Sequence, residues 1–175
     1  MSAPCPVCGL DLDTITAPDA IVAVRSFPRR YREAFGMLED EEDVDAQVRR
    51  RPRPDTWSAL EYAAHVRGAV ELFEDRARRA LVEDAPVVQP VPLEENPWEG
   101  HDPTDDLDAV LSGLDAACDR LARRLQGVEG DDWKRTVVRD GEELTVLWMA
   151  RNVVHEGAHH LRDVQDVLRK VRGRV

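Results

Sequence analysis

Apolar residues recur at steps of three and four in four stretches of the chain, the period of a helix with one buried face. The first predicted helix runs from about Pro18 to Leu38, with Ile21, Val24, Tyr31, Phe35 and Leu38 near one face. Thr16 or Ala17 precedes a proline near the first helical position, where a missing N–H costs nothing. Pro28 falls inside the pattern and predicts a kink or interruption, because its ring collides with the carbonyl four residues back. A second helix should begin after Asp55 or Thr56 and continue to about Val82, with Trp57, Leu60, Ala64 and Leu72 on its apolar face. The third spans roughly Thr104–Leu125, capped by Thr104, with Leu107, Val110, Leu111, Leu114, Cys118, Leu121 and Leu125 on one stripe. The fourth runs from about Glu143 to Val171, with Leu147, Trp148, Val154, Ala158, Leu161 and Leu168 inward.

The segments between are as informative. Residues 39–55 read as a loop, the acidic run Glu39–Asp43 followed by Arg49, Arg50, Arg51 and Arg53 around two prolines, and a solvated connection is the simpler reading. Residues 83–103 hold five prolines and no helical period. So long a structureless connection suits a bundle whose neighbouring helices do not all alternate in direction, and it predicts at least one parallel pair of consecutive helices. Trp133–Leu144 suits a short hairpin, since Arg135-Thr-Val-Val is β-prone and Asp140-Gly141 is a turn pair. The predicted fold is therefore an all-α four-helix bundle, one domain over 1–175. Residues 1–17 form a cysteine-containing amino-terminal segment, and 83–103 form the long crossover loop.

Composition narrows the function. Across 175 residues, 24 Lys plus Arg stand against 35 Asp plus Glu, and a net charge of −11 repels nucleic-acid phosphates. All but Lys134 and Lys170 of the basic residues are Arg, which suggests a high-G+C, bacterial genome. The longest uncharged apolar stretch, about Leu144–Ala150, is far short of the roughly 20 residues a bilayer requires. The amino terminus has neither the basic nor the apolar region of a signal peptide, and three cysteines make no disulfide scaffold, so a reducing cytoplasm is expected.

Five histidines carry the candidate chemistry. His155 and His159, four apart on the last helix, share a face and suit a single divalent metal. His65, mid-way along the second helix, borders the inward stripe, where residues of facing helices meet in a bundle core. A lone core histidine is more often a hydrogen-bonded packing residue; an i, i+4 pair is harder to explain that way. Three neutral imidazoles leave a tetrahedral ion one open position, as in a catalytic site, with affinity falling as pH drops through about 6.5. Asp163, four residues beyond His159, is the favoured carboxylate to orient a ligand, with Glu156 and Glu61 as further candidates. His160 is placed outside this shell, and His101 in an exposed loop. His155–His159 also matches the zinc-protease H-E-x-x-H. The extended pattern fails, with Arg162 and Gln165 where glycine and histidine are needed and no glutamate after Glu156. Cys5-Pro6-Val7-Cys8-Gly9 has the spacing of half a zinc knuckle, and Cys5 and Cys8 are a candidate second metal site needing two further donors. Cys118 reads as plain core.

Three strings, C-P-x-C-G-x-D at the start, W-S-x-L-E-Y-x-x-H-V from Trp57 and H-E-x-x-H-H-L-x-D from His155, resemble the DinB-like superfamily, including YfiT-like metal hydrolases and mycothiol-dependent maleylpyruvate isomerase-like proteins. The resemblance implies a four-helix bundle of uncommon crossover topology, with metal ligands at His65, His155 and His159. It implies zinc first and nickel second, and transferase or isomerase chemistry with a low-molecular-weight thiol. An open zinc position favours the thiolate of a group whose free pKa is about 8.5; it equally favours ionised water and hydrolysis. A metal-dependent hydrolase, and a non-catalytic metal-binding stress-response protein, are the alternatives. The expected partners are a small-molecule substrate and, at most, a second copy of the chain, monomer or homodimer, with neither nucleic acid nor membrane.

Overall fold

Thr16 opens the first helix through a reciprocal cap: its hydroxyl accepts the Asp19 N–H at 3.3 Å while the Asp19 carboxylate accepts the Thr16 N–H at 3.1 Å. In the computed structural model of the protein, which describes residues 4–38, 43–90 and 105–173, α1 then runs over Ala17–Gly36. Of the kink or interruption expected at Pro28, the interruption does not occur. A proline deletes one hydrogen bond of the ladder, and the burial of Phe27 and Tyr31 on either side outweighs that loss. The connection expected as plain loop carries a short helix, α2 (Val44–Arg49), opened by the Asp43 side chain, which accepts the Ala46 N–H at 3.1 Å. The acidic residues 39–42 lie outside the described residues.

Helix α3 (Ala59–Val82) begins later than the sequence pattern predicts. Ser58, not Asp55 or Thr56, forms the cap, because only Ser58 has a glutamate three residues on: Ser58 N–H donates to Glu61 at 2.6 Å and Glu61 N–H to the Ser58 hydroxyl at 3.2 Å. Helix α4 (Leu107–Gln126) is capped by Asp106; Thr104 lies outside the described residues. The predicted hairpin is present as β1 (Thr136–Arg139) and β2 (Glu142–Thr145), paired Thr136 to Thr145 and Arg139 to Glu142. Asp140 and Gly141 turn it with φ of 52° and 81°, the two positive values that a two-residue hairpin loop requires. Residues 143–145 are thus strand, and α5 (Val146–Val171) starts after them, capped by Thr145.

Cross-helix pairs set the directions. Arg25 meets Gln126 (2.6 Å) and Arg32 meets Asp115 (3.3 Å), so α1 and α4 are antiparallel. Glu71 pairs with Arg120 (3.7 Å) and Glu74 with Arg124 (2.7 Å), so consecutive α3 and α4 run parallel. Phe73 lies on Trp148 and His65 beside Glu156, so α3 and α5 are antiparallel. Helices α1 and α3 each flank both α4 and α5, and α1 and α3, joined through the short α2, stand on the diagonal. The long connection returns the chain to the end where α3 began. Its first residues are pinned to the hairpin, Val88 N–H donating to the Val138 carbonyl and Val138 N–H to the Pro86 carbonyl, both at 2.9 Å.

Phe27, Tyr31, Leu60, Leu114, Leu121, Met149 and Leu168 fill the centre of the bundle. Cys118 is core, as its stripe predicts, and burial pushes its thiol up to about 12. Among the described residues, no helix is long and apolar enough to cross a membrane.

Candidate metal centres on helix α5

At about 100° per residue, the string 155–160 carries two i, i+4 pairs on different faces of α5: His155 with His159, and Glu156 with His160. Gly157 sets the rotation of the helix. A Cβ there would lie 2.3 Å from Phe27 Cε2, so only glycine admits this approach of α5 to α1. The buried Tyr31 hydroxyl donates to the Gly157 carbonyl at 3.0 Å and fixes it. With Gly157 against α1, His155 and His159 point about 180° away, off the outer face of the bundle, whereas Glu156 and His160 turn sideways toward α3.

The outer face is covered by the amino-terminal segment. Nitrogens of His155 and His159 and the sulfurs of Cys5 and Cys8 all lie within 4.8 Å of one another. Cys5 Sγ is 3.5 Å from His159 Nδ1. The segment folds back on itself, Gly9 N–H donating to the Cys5 carbonyl at 2.8 Å and Cys5 N–H to the Leu10 carbonyl at 2.9 Å. Gly9 takes φ +76°, a value that a side chain would oppose. The main-chain N–H of Cys8, the His155 ring and the Val7 N–H converge on the Cys5 sulfur and bring its thiol down to about 5. Cys8 shifts the other way, raised chiefly by burial.

The sideways face builds a second cluster. His65 Nε2 stands 3.3 Å and His160 Nε2 3.4 Å from the same oxygen, Glu156 Oε2. His160 Nδ1 meets Asp163 Oδ2 at 2.8 Å, so Asp163 aims the other nitrogen at Glu156. Trp57 sits edge-on to His65 with ring centroids 5.3 Å apart, and Tyr62 stacks on His160 at 5.4 Å. The cluster is half-buried, the His65, Glu156 and His160 side chains being 35%, 28% and 18% exposed. Burial opposes charge on His160, but its bonds to Asp163 and Glu156 prevail and its pKa rises to about 9. The same bonds from His160 and His65 hold the Glu156 carboxyl far below the usual carboxylate range.

The three histidines expected to share one ion are therefore divided. His65 groups with Glu156 and His160 and not with His155 and His159, which leave α5 on another face, although His155 Nδ1 still stands 3.8 Å from the Glu156 carboxylate. His160, expected outside the shell, lies inside the His65 cluster, and Glu156 is a donor rather than a group behind one. Asp163 bonds His160, not the favoured His159, whose Nε2 stands 3.7 Å from it. Glu61 orients no ligand: burial opposes its charge, but the Ser58 cap and an ion pair with the more exposed Arg51 hold its carboxyl low. His101 lies outside the described residues. The signal for the second cluster is present in the chain, since Glu156 and His160 have the same i, i+4 spacing as His155 and His159.

Each cluster fits a divalent cation by donor chemistry. Two imidazoles with one carboxylate leave a fourth position open; two thiols with two imidazoles close it.

A sequence profile of the DinB superfamily matches residues 25–164. Among solved structures the chain is similar to YfiT from Bacillus subtilis, described as a probable metal-dependent hydrolase with an unusual four-helix bundle topology. The TM-score is 0.75 at 19% identity, over 90% of this chain and 87% of that one. No curated protein matches.

Proposed function

The chain belongs to the DinB superfamily, and from that premise we propose that it is a divalent-metal-dependent enzyme acting at the His65–Glu156–His160 cluster. The observation that carries the reading is the convergence of two Nε2 atoms, from facing helices, on one half-buried carboxylate oxygen. Zinc is the first metal to test and nickel the second. A cation held there supplies Lewis acidity, which favours ionisation of a small thiol or of water. His65 and His160 bind it as neutral imidazoles, Asp163 keeps the His160 ring turned inward, and Glu156 offsets the cation's charge. Trp57 and Tyr62 flank the imidazoles and form an aromatic wall for a small-molecule substrate.

Transfer or isomerisation assisted by a low-molecular-weight thiol is the leading reaction, the one implied by the three sequence strings. Hydrolysis is the second reading, favoured by the likeness to YfiT. Chelator-stripped protein, reloaded with zinc or nickel, should be assayed with mycothiol, cysteine or coenzyme A plus an electrophile, and in parallel with ester and amide substrates. Metal-dependent thiol consumption that disappears in His65→Ala and Glu156→Gln supports the first reading, and thiol-independent hydrolysis with the same losses supports the second. Loaded protein inactive in every assay overturns both in favour of a non-catalytic metal binder. The reading places the protein in the cytoplasm, as a monomer or homodimer.

A further inference from the structure

We propose that Cys5, Cys8, His155 and His159 form a structural zinc site that pins the amino-terminal segment to the outer face of α5. This does not depend on the reading of the His65 cluster, with which it shares no donor.

Four observations converge. The first is the donor set, two sulfurs and two imidazole nitrogens within 4.8 Å of one another, brought together across about 150 residues of chain. Tetrahedral zinc with sulfur at about 2.3 Å and nitrogen at about 2.0–2.1 Å spaces its ligands by about 3.3–3.8 Å. Cys5 Sγ and His159 Nδ1 are already 3.5 Å apart, and the rest close by side-chain rotation. With all four positions taken by protein, no substrate has access, so the role is structural. Paired thiolates select zinc over the hard cations that prefer oxygen.

The second observation is the loop. Gly9 at φ +76° lets its N–H reach the Cys5 carbonyl, and the N–H groups of Val7 and Cys8 face the Cys5 sulfur. Backbone dipoles are thus already directed at the Cys5 sulfur.

The third is how little else holds the tip of this segment, for the apolar packing lies further along, at Leu10, Leu12 and Ile15, where Arg151 also bonds the Asp13 and Ile15 carbonyls. Val7 is 52% exposed and Pro4, Pro6 and Gly9 are exposed. A bond from Arg162 to the Val7 carbonyl (2.6 Å) tethers its tip. At a tip so exposed, metal binding supplies the ordering free energy.

The fourth is the position of the ligands. His155 and His159 bracket Glu156 and adjoin His160, so an ion on the outer face also fixes the one helical turn from which the second cluster is built.

The test uses the full chain. Metal-stripped protein is titrated with cobalt(II), whose tetrahedral thiolate complexes absorb strongly through sulfur-to-metal charge transfer. One equivalent should develop that band and zinc should displace it. Cys8→Ser and His155→Ala should each weaken cobalt binding more than tenfold or abolish the band, whereas His65→Ala should retain it. A second measurement needs no variant: zinc should protect two of the three thiols of the wild-type protein from a thiol reagent, and a chelator should expose them. Absence of a thiolate band, thiols equally reactive with and without zinc, or a band that survives His155→Ala with His159→Ala overturns the proposal. Loss of the band in His65→Ala also overturns it, because the two sites would then not be separate. Failure of catalysis leaves it untouched.

Discussion

His159 and His160 are neighbours in the chain, with ring centroids 5.1 Å apart and planes at 72°; both approach Asp163, yet each also serves a cluster that the other does not enter. His159 turns Nδ1 to the Cys5 sulfur, and His160 turns Nε2 to Glu156. One helical step separates a closed donor set from an open one. Asp163 lies between, 2.8 Å from His160 and 3.7 Å from His159.

Asp163→Asn should therefore weaken metal binding at the His65 cluster by about 10–100-fold, the usual effect of removing a carboxylate behind a ligand imidazole. Calorimetric titration of zinc into a Cys5→Ser, Cys8→Ser background isolates that site. Unchanged affinity would mean that Asp163 does not orient the ring.

Gly157→Ala should destabilise the bundle although alanine is the better helix former by about 1 kcal/mol. The new methyl would meet the fully buried Phe27 ring at 2.3–2.4 Å, and overpacking of that kind costs about 1–3 kcal/mol. Thermal unfolding should shift down by roughly 2–8 °C. Phe27→Leu should cost less in the Gly157→Ala background than alone, a coupling that a double-mutant cycle reads directly.

Glu61→Gln should destabilise by about 1–3 kcal/mol, because it weakens the α3 cap and leaves Arg51 facing a neutral group. The carboxyl is held below its ordinary value near 4.5 in the folded state, so its contribution is present above that pH and is lost as pH falls further. Stability measured from pH 7 down to 3 should fall less steeply in Glu61→Gln than in the wild type.

Cys118 should stay unmodified in native, metal-stripped protein while Cys5 reacts, because burial raises its thiol to about 12 and Cys5 is brought down to about 5. Mass spectrometry of protein briefly treated with iodoacetamide should place the first adduct on Cys5. Early modification of Cys118 would contradict the packing described for α4.

Local rules by themselves determine much of this protein. Steps of three and four mark α1, α3, α4 and α5 because a helix buries one face, and the Asp140-Gly141 pair marks the hairpin because both residues take positive φ. The length of the connection after Val82 marks the parallel pair, since a chain must travel the length of a bundle to restart at the same end. The i, i+4 spacing marks α5 as the helix that carries the candidate metal donors. What spacing leaves open is the rotation of α5 about its axis. That is set by Gly157 seated on Phe27, a contact between residues 130 positions apart. It turns Glu156 and His160 to His65 and leaves His155 and His159 for Cys5 and Cys8. A turn of about 100° would have carried His155 and His159 to the α3 side and Glu156 and His160 toward α1, so only tertiary packing decides which donors meet.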